Sequence, residues 1–323
     1  MNKKVLIFGV NGQDGKLLSE YLLKKNYKII GTHYKSIKNK HFTIIKLNIN
    51  DFKKVSSLIK RFKPNEIYNF AGISDLSSNE KNFYLSEKTN NLAVINILQS
   101  IKNTKIKYFQ PITSEIYGHY KKEKKIDKNT IYNPQSSYAI SKLSSMFYIR
   151  LFREKFGVHA VSGILFSHES ELRKNKFVTK MIIENLYKLK SNKISDFQIY
   201  NINAKRDWGY ARDYVKLIHK CTNRKKADDY FIGTGKLHSV KEIVDIASKY
   251  FGIKIRWKKT SKHIFGIDDN NKKIIKSYIK KNEKLKAIYA DTSKILKKFN
   301  FRPSISFKDL IIYICKHEKL KNN

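Results

Sequence analysis

Near the amino terminus an unbroken apolar run, Val5-Leu6-Ile7-Phe8, passes directly into Gly9-Val10-Asn11-Gly12-Gln13-Asp14-Gly15. Behind it Leu17, Leu18, Tyr21 and Leu22 recur at the three- and four-residue spacing of a helix face. A strand with no polar alternation belongs in the middle of a parallel sheet. The glycines permit a tight turn, close approach of backbone to a pyrophosphate, and close packing of helix on strand. The helix amino terminus adds N–H donors and the positive end of its dipole. A glycine motif alone is weak and is also met in plain strand-to-helix turns. The order strand, turn, helix makes this one a candidate dinucleotide site, with Gly9, Gly12, Gln13, Asp14 and Gly15 as its residues.

The same alternation continues along the 323 residues. Strands are expected over 28–32, 42–47, 66–69, 106–112 and 160–166, and helices over 51–62 and 85–101. Alternating strands and helices imply an α/β fold, a doubly wound parallel sheet of Rossmann type with a smaller carboxyl-terminal lobe. We expect a dinucleotide-binding domain over 1–165 and a mainly substrate-binding lobe over 166–323, with segments at about 197–232 returning to the main sheet. Residues 258–286 are polar and lysine-rich and read as a surface excursion. The second strand ends in Thr32-His33-Tyr34-Lys35, without the carboxylate that usually meets an NAD ribose. Lys35, with Lys38, suits a 2′-phosphate, which favours NADP over NAD; Lys35 is equally readable as one more surface lysine.

The formal charge is +40. The lysines are spread along the whole chain rather than clustered, which argues against nucleic acid as a partner and leaves a general attraction for anionic substrates. No apolar run approaches the roughly 20 residues that span a bilayer, so no membrane partner is expected. Cys221 and Cys315 form neither a disulfide framework nor a metal pattern, which suits a cytoplasmic protein. His168 and Glu169 have no further ligand at metal spacing, so no metal is expected.

Two stretches carry candidate chemistry. Tyr138 and Lys142 stand four apart, which on a helix places them one turn apart on one face. An ammonium beside a phenol favours the phenolate and would make Tyr138 a base near neutral pH. Taken alone, the pair is also readable as a tyrosine beside a solvated lysine. Thr113 and Glu115, in Thr113-Ser114-Glu115-Ile116-Tyr117-Gly118, follow an apolar run and would point the same way if extended. They then lie at the carboxyl end of a buried strand, where open α/β sheets keep their ligands. Ala71 and Gly72, after the fourth strand, let a cofactor lie against backbone, and Ser74 follows as a candidate substrate contact.

These residues resemble the extended short-chain dehydrogenase/reductase group, and within it the GDP-mannose 4,6-dehydratase family. The likeness covers nearly the whole chain. It rests on the G-x-x-G-x-x-G turn with Gln13-Asp14, on Glu66-Ile67-Tyr68-Asn69, and on Thr113 to Gly118 with Tyr138 and Lys142. It continues through Gly163-Ile164-Leu165-Phe166-Ser167-His168-Glu169-Ser170, Arg206-Asp207-Trp208-Gly209, Thr234-Gly235, His238-Ser239-Val240 and Asp291. The resemblance implies that Asn48, Ala71, His168, Tyr138 and Lys142 join the glycine turn and Lys35 at the cofactor. It implies that Ser74, Ser167, Glu169, Arg173, Lys176, Arg206 and Lys281 meet a nucleotide sugar, and that the protein is a homodimer or homotetramer. The chain departs from the family at several of these places. Ser167 replaces an asparagine, Glu171-Leu172-Arg173-Lys174 replaces Pro-Arg-Arg-Gly, Lys281 stands near a lost arginine, and Asn48 replaces an aspartate. Tyr34 and Lys35 replace paired arginines. The chemical group matches better than the substrate grip, which leaves a neighbouring sugar nucleotide open as substrate.

The activity implied is redox-neutral dehydration of GDP-mannose to GDP-4-keto-6-deoxymannose through bound NADP. Tyr138 and Lys142 would act at carbon 4 with Thr113, and Glu115 would move the carbon 5 proton and expel water. Two other readings stay open on sequence: an epimerase or reductase of nucleotide sugars, and a non-catalytic dinucleotide-binding scaffold that meets nucleic acid. Glu115 separates the dehydratase from the former, which needs no carboxylate acid/base there.

Overall fold

The computed structural model describes residues 2–74, 80–120, 122–279 and 287–322. Its strands are β1 (Lys4–Phe8), β2 (Lys28–His33), β3 (Thr43–Lys46), β4 (Glu66–Asn69), β5 (Lys107–Thr113) and β6 (Lys124–Ile126). Then follow β7 (Ala160–Leu165), β8 (Ser167–Glu169), β9 (Phe197–Ile199), β10 (Lys205–Arg206), β11 (Trp208–Tyr210) and β12 (Asp229–Ile232). The last are β13 (His238–Ser239), β14 (Arg256–Lys259), β15 (His263–Ile267), β16 (Lys273–Tyr278) and β17 (Ile288–Ala290). Helices α1 (Gln13–Leu23), α2 (Phe52–Phe62), α3 (Glu80–Glu87), α4 (Ala93–Ile101) and α5 (Ser137–Phe156) belong to the first half. Helices α6 (Val178–Lys190), α7 (Ala211–Thr222), α8 (Val240–Tyr250), α9 (Ser293–Phe299) and α10 (Phe307–Asn322) complete the set.

The apolar runs become one seven-stranded parallel sheet in the order β12-β7-β5-β4-β1-β2-β3. From β1 the chain winds outward through β2 and β3, then crosses back to β4. That reversal opens a crevice at the carboxyl edge, where such sheets bind ligands. Helices cover both faces. Val55, Leu58, Ile97, Leu98, Met146 and Ile149, from α2, α4 and α5, are buried against one face. Leu17, Leu18, Leu22, Tyr214, Val215 and Ile218, from α1 and α7, are buried against the other. A third core lies outside the sheet, where α6, α8 and α10 enclose Ile183, Ile243, Ile275 and Ile311.

Three expectations are corrected. Of residues 197–232, β12 joins the main sheet and α7 packs on its face, but Phe197–Ile199 does not join it. It pairs in parallel with β16 and buries Phe197 and Ile199 in the third core. The described part of 258–286, residues 258–279, is not a plain excursion: β14, β15 and β16 form an antiparallel meander in which Trp257, Ile264 and Ile275 pack inward between lysines. The helix expected over 85–101 is interrupted by a π-turn at Lys88–Leu92, where Thr89, Asn90 and Asn91 are buried. Among the described residues no helix is long and apolar enough to cross a membrane.

Candidate active site

At the carboxyl edge lies a cavity of about 690 Å³. Its walls include Gly12, Gln13 and Asp14 from the start of α1, Thr113 at the end of β5 with Ser114 and Glu115 just beyond it, and Tyr138 and Lys142 from α5. Ser74, Ser167, His168, Glu169, Arg173, Lys176 and Arg206 line it as well. The end of β5 with the turn that follows it, and helix α5, thus bring all four candidate catalytic residues to one space. Gly9, Gly15, Lys35, Asn48 and Ala71 do not line this cavity. Gly9, Lys35, Asn48 and Ala71 follow the carboxyl ends of β1, β2, β3 and β4 along the same edge, and Gly15 lies in the first turn of α1. Lys281 lies outside the described residues.

The glycine turn fits a dinucleotide. Gly9 has φ +72°, and a Cβ there would lie 2.5 Å from the Ala71 nitrogen. A Cβ on Gly15 would lie 2.6 Å from the Gly9 carbonyl oxygen. These two positions admit no side chain. Gly12 is the N-cap of α1 and has no side chain with which to cap the first-turn N–H groups. A phosphate is the usual partner for such bare backbone.

Thr113 ends β5, but Glu115 has already left the strand. Residues Ser114–Tyr117 form a 3₁₀ turn in which the Glu115 N–H donates to Thr113 Oγ1 (3.2 Å), and Gly118 closes the turn at φ +68°. The expectation that both side chains project from one extended segment is therefore corrected; the turn brings them to one cavity wall by another route. Helix α5 is fixed by Ser136, whose hydroxyl accepts from the Ala139 N–H (3.1 Å), and by Gly157 at φ +64°. One face of the helix is thereby held over the end of β5.

Tyr138 contradicts the simplest reading of its spacing from Lys142. Burial pushes its phenol up to about 12, and the Glu115 carboxylate adds to the rise. A hydrogen bond with Thr113 and the Arg173 charge pull the other way. Lys142 donates to the Pro111 carbonyl (3.0 Å), and burial lowers its ammonium to about 8. Desolvation is the leading cause of both shifts, and the spacing of four does not make the ammonium lower the phenol.

A second cluster ties the glycine turn to β8. His168 Nε2 lies 3.0 Å from both carboxylate oxygens of Asp14, and its Nδ1 lies 2.8 Å from the Phe166 carbonyl. Both ring nitrogens face acceptors, an arrangement the imidazolium satisfies. Burial opposes ionisation of each partner. Their attraction outweighs it, holding Asp14 below the ordinary carboxyl range and His168 above the ordinary imidazole range. Ser170 Oγ donates to Gln13 Oε1 (2.9 Å), a second link across the same gap. Glu169 is buried, and burial raises its carboxyl. Arg173 Nε lies 3.3 Å from Glu169, with the guanidinium 3.5 Å above the Phe177 ring.

Behind the cavity wall stands Asn90, which the sequence expectations did not include. Asn90, buried in the π-turn, donates to the Ile73 carbonyl and Ser141 Oγ and accepts from the Ile73 N–H. It binds the loop after β4 to α5, one residue from Lys142. Two adjacent amides inside an apolar helix were the available signal, since buried polar groups and π-turns often mark functional sites.

A family model described as GDP-mannose 4,6 dehydratase matches residues 6–313. The chain is 31% identical to the GDP-mannose 4,6 dehydratase of Drosophila melanogaster, over 96% of this chain and 84% of that one. It is 30% identical to that of Homo sapiens, over 95% and 88%. Among solved structures it resembles a UDP-glucose 4-epimerase from Thermotoga maritima (TM-score 0.84, 16% identity, 99% of this chain and 100% of that one). A dTDP-glucose 4,6-dehydratase from Bacillus anthracis in complex with NAD gives a TM-score of 0.81 at 18% identity, over 99% and 97%. At such identities the structural likenesses speak for the fold, whereas the family model spans almost the whole sequence: the chain belongs to the GDP-mannose 4,6-dehydratase family.

Proposed function

We propose that the protein dehydrates GDP-mannose to GDP-4-keto-6-deoxymannose, with NADP as its resident cofactor. The observation that carries this reading is Glu115, a carboxylate on the same cavity wall as Thr113 and within electrostatic reach of the Tyr138 phenol. Epimerisation or reduction at carbon 4 needs the phenol and the ammonium but gives the carboxylate nothing to do. When bound, NADP supplies a hydride acceptor that is restored within the cycle, so water is lost without net redox change. Tyr138 removes the proton from the carbon 4 hydroxyl, and Thr113, on the same cavity wall, holds that oxygen. Lys142 supplies positive charge beside the phenolate. Glu115 then takes the carbon 5 proton and, once protonated, delivers it to the carbon 6 hydroxyl as that leaves as water.

Gly9, Gly12, Gln13, Asp14, Gly15 and His168 would hold the dinucleotide. Lys35, exposed beyond β2 with no carboxylate beside it in sequence, would face the 2′-phosphate that marks NADP. Ser74, Ser167, Glu169, Arg173, Lys176 and Arg206 would hold the sugar and its diphosphate. The test is to incubate the purified protein with GDP-mannose and either NADP or NAD. A product lighter by one water, formed without net cofactor consumption and faster with NADP, is expected. A product of unchanged mass, or stoichiometric oxidation or reduction of the dinucleotide, would contradict the reading.

A further inference from the structure

Asp207 sits between Arg206 and Trp208, both of which line the cavity, yet its own side chain turns away from it into the interior. The residue is 1% exposed. Its carboxylate is encircled by donors. Oδ1 accepts from the Thr234 N–H (2.8 Å) and the Thr234 hydroxyl (2.5 Å), and Oδ2 accepts from the N–H groups of Gly235 (2.9 Å) and Ala290 (3.0 Å). Two successive N–H groups aimed at one anion form a backbone nest, and here the anion is part of the chain. The nest is shaped for it: a Cβ on Gly233 would lie 2.6 Å from Asp207 Oδ2, and Gly235 takes φ +74°.

The position of this knot matters more than its strength. On one side of Asp207, β10 pairs with β13, opposing Arg206 to His238. On the other, β11 pairs with β8, opposing Trp208 to Ser167 on the cavity wall. The carboxylate occupies the joint between these two short ladders and fastens to it both the turn after β12 and strand β17. Two-residue and three-residue ladders hold a backbone weakly by themselves. The direction in which Arg206 enters the cavity therefore depends on the residue after it.

We infer that Asp207 is a positioning residue that sets the Arg206 guanidinium for the diphosphate of the nucleotide sugar. This rests on the reading of the cavity as a nucleotide-sugar site. Burial is the larger effect and holds the Asp207 carboxyl above the ordinary carboxylate range, although its hydrogen bonds pull the other way.

The test is a double-mutant cycle read by GDP binding and thermal melting on the full chain, with Asp207→Asn, Arg206→Ala and the double variant. Asparagine keeps the shape but turns an N–H₂ toward N–H donors. Asp207→Asn should weaken GDP binding about tenfold, a coupling of the size found within shared networks. In the Arg206→Ala background the same change should cost nothing further in GDP affinity, although the melting temperature falls in both backgrounds. Thr234→Val, which removes one donor of the four, should weaken GDP binding in the same direction and by less. Additive losses in the cycle would show a merely structural role and overturn the inference, as would normal GDP affinity in a folded Asp207→Asn protein. Failure of the wild type itself to bind GDP would overturn the underlying reading, and with it this inference.

Discussion

At the scale of single residues, Tyr138 and Lys142 are governed by desolvation, whereas Asp14 and His168 are governed by their mutual attraction. Tyr138 and Lys142 are titrated in opposite directions by burial, the phenol to about 12 and the ammonium to about 8. If catalysis needs phenolate and ammonium together, the active form of the free enzyme is a minority species at neutral pH. Its population grows with pH until Lys142 begins to lose its proton, then stays level until the phenol itself has titrated. The pH profile of kcat/KM should therefore climb from pH 6 to about 8 and then level, and a flat profile across that range would contradict the assignment. The spacing of Tyr138 and Lys142 was legible in the sequence. The direction of the tyrosine shift was not, because the competition between burial and charge is decided by how deeply β5 and α5 enclose the phenol.

At the scale of elements, the amino-terminal strand, turn and helix were legible because each glycine does something no other residue can do there. Gly15→Ala would place a methyl group 2.6 Å from the Gly9 carbonyl oxygen and 2.7 Å from Val10 Cα, both backbone atoms that cannot swing aside. We expect a loss of about 1–3 kcal/mol in stability and a larger proportional loss of NADP affinity, measured by melting and by titration. A stable variant with normal affinity would show that the turn is looser than its geometry. Short elements were the least legible. The 3₁₀ turn at Ser114–Tyr117 and the π-turn at Lys88–Leu92 are set by Gly118 and by buried amides rather than by any run of periodic residues. The affiliation of Phe197–Ile199 with β16 is a long-range choice, and three residues of apolar alternation do not specify a partner strand.

At the scale of the whole molecule, a charge of +40 surrounds the site proposed for an anionic nucleotide sugar. Such a field raises encounter rates and is screened over about 8 Å at physiological salt. We expect kcat/KM for GDP-mannose to fall severalfold between low salt and about 0.5 M salt, with kcat nearly unchanged. Salt-independent kcat/KM would mean that the lysines serve solubility alone. Whether Glu115 moves the carbon 5 proton beside the Tyr138 phenol is decided by turnover in deuterated water, with wild type and Glu115→Gln compared. The wild type should place solvent deuterium in the keto sugar as water is lost. Glu115→Gln should bind NADP normally, yet neither exchange carbon 5 nor release water. Full exchange and turnover by that variant would contradict the account.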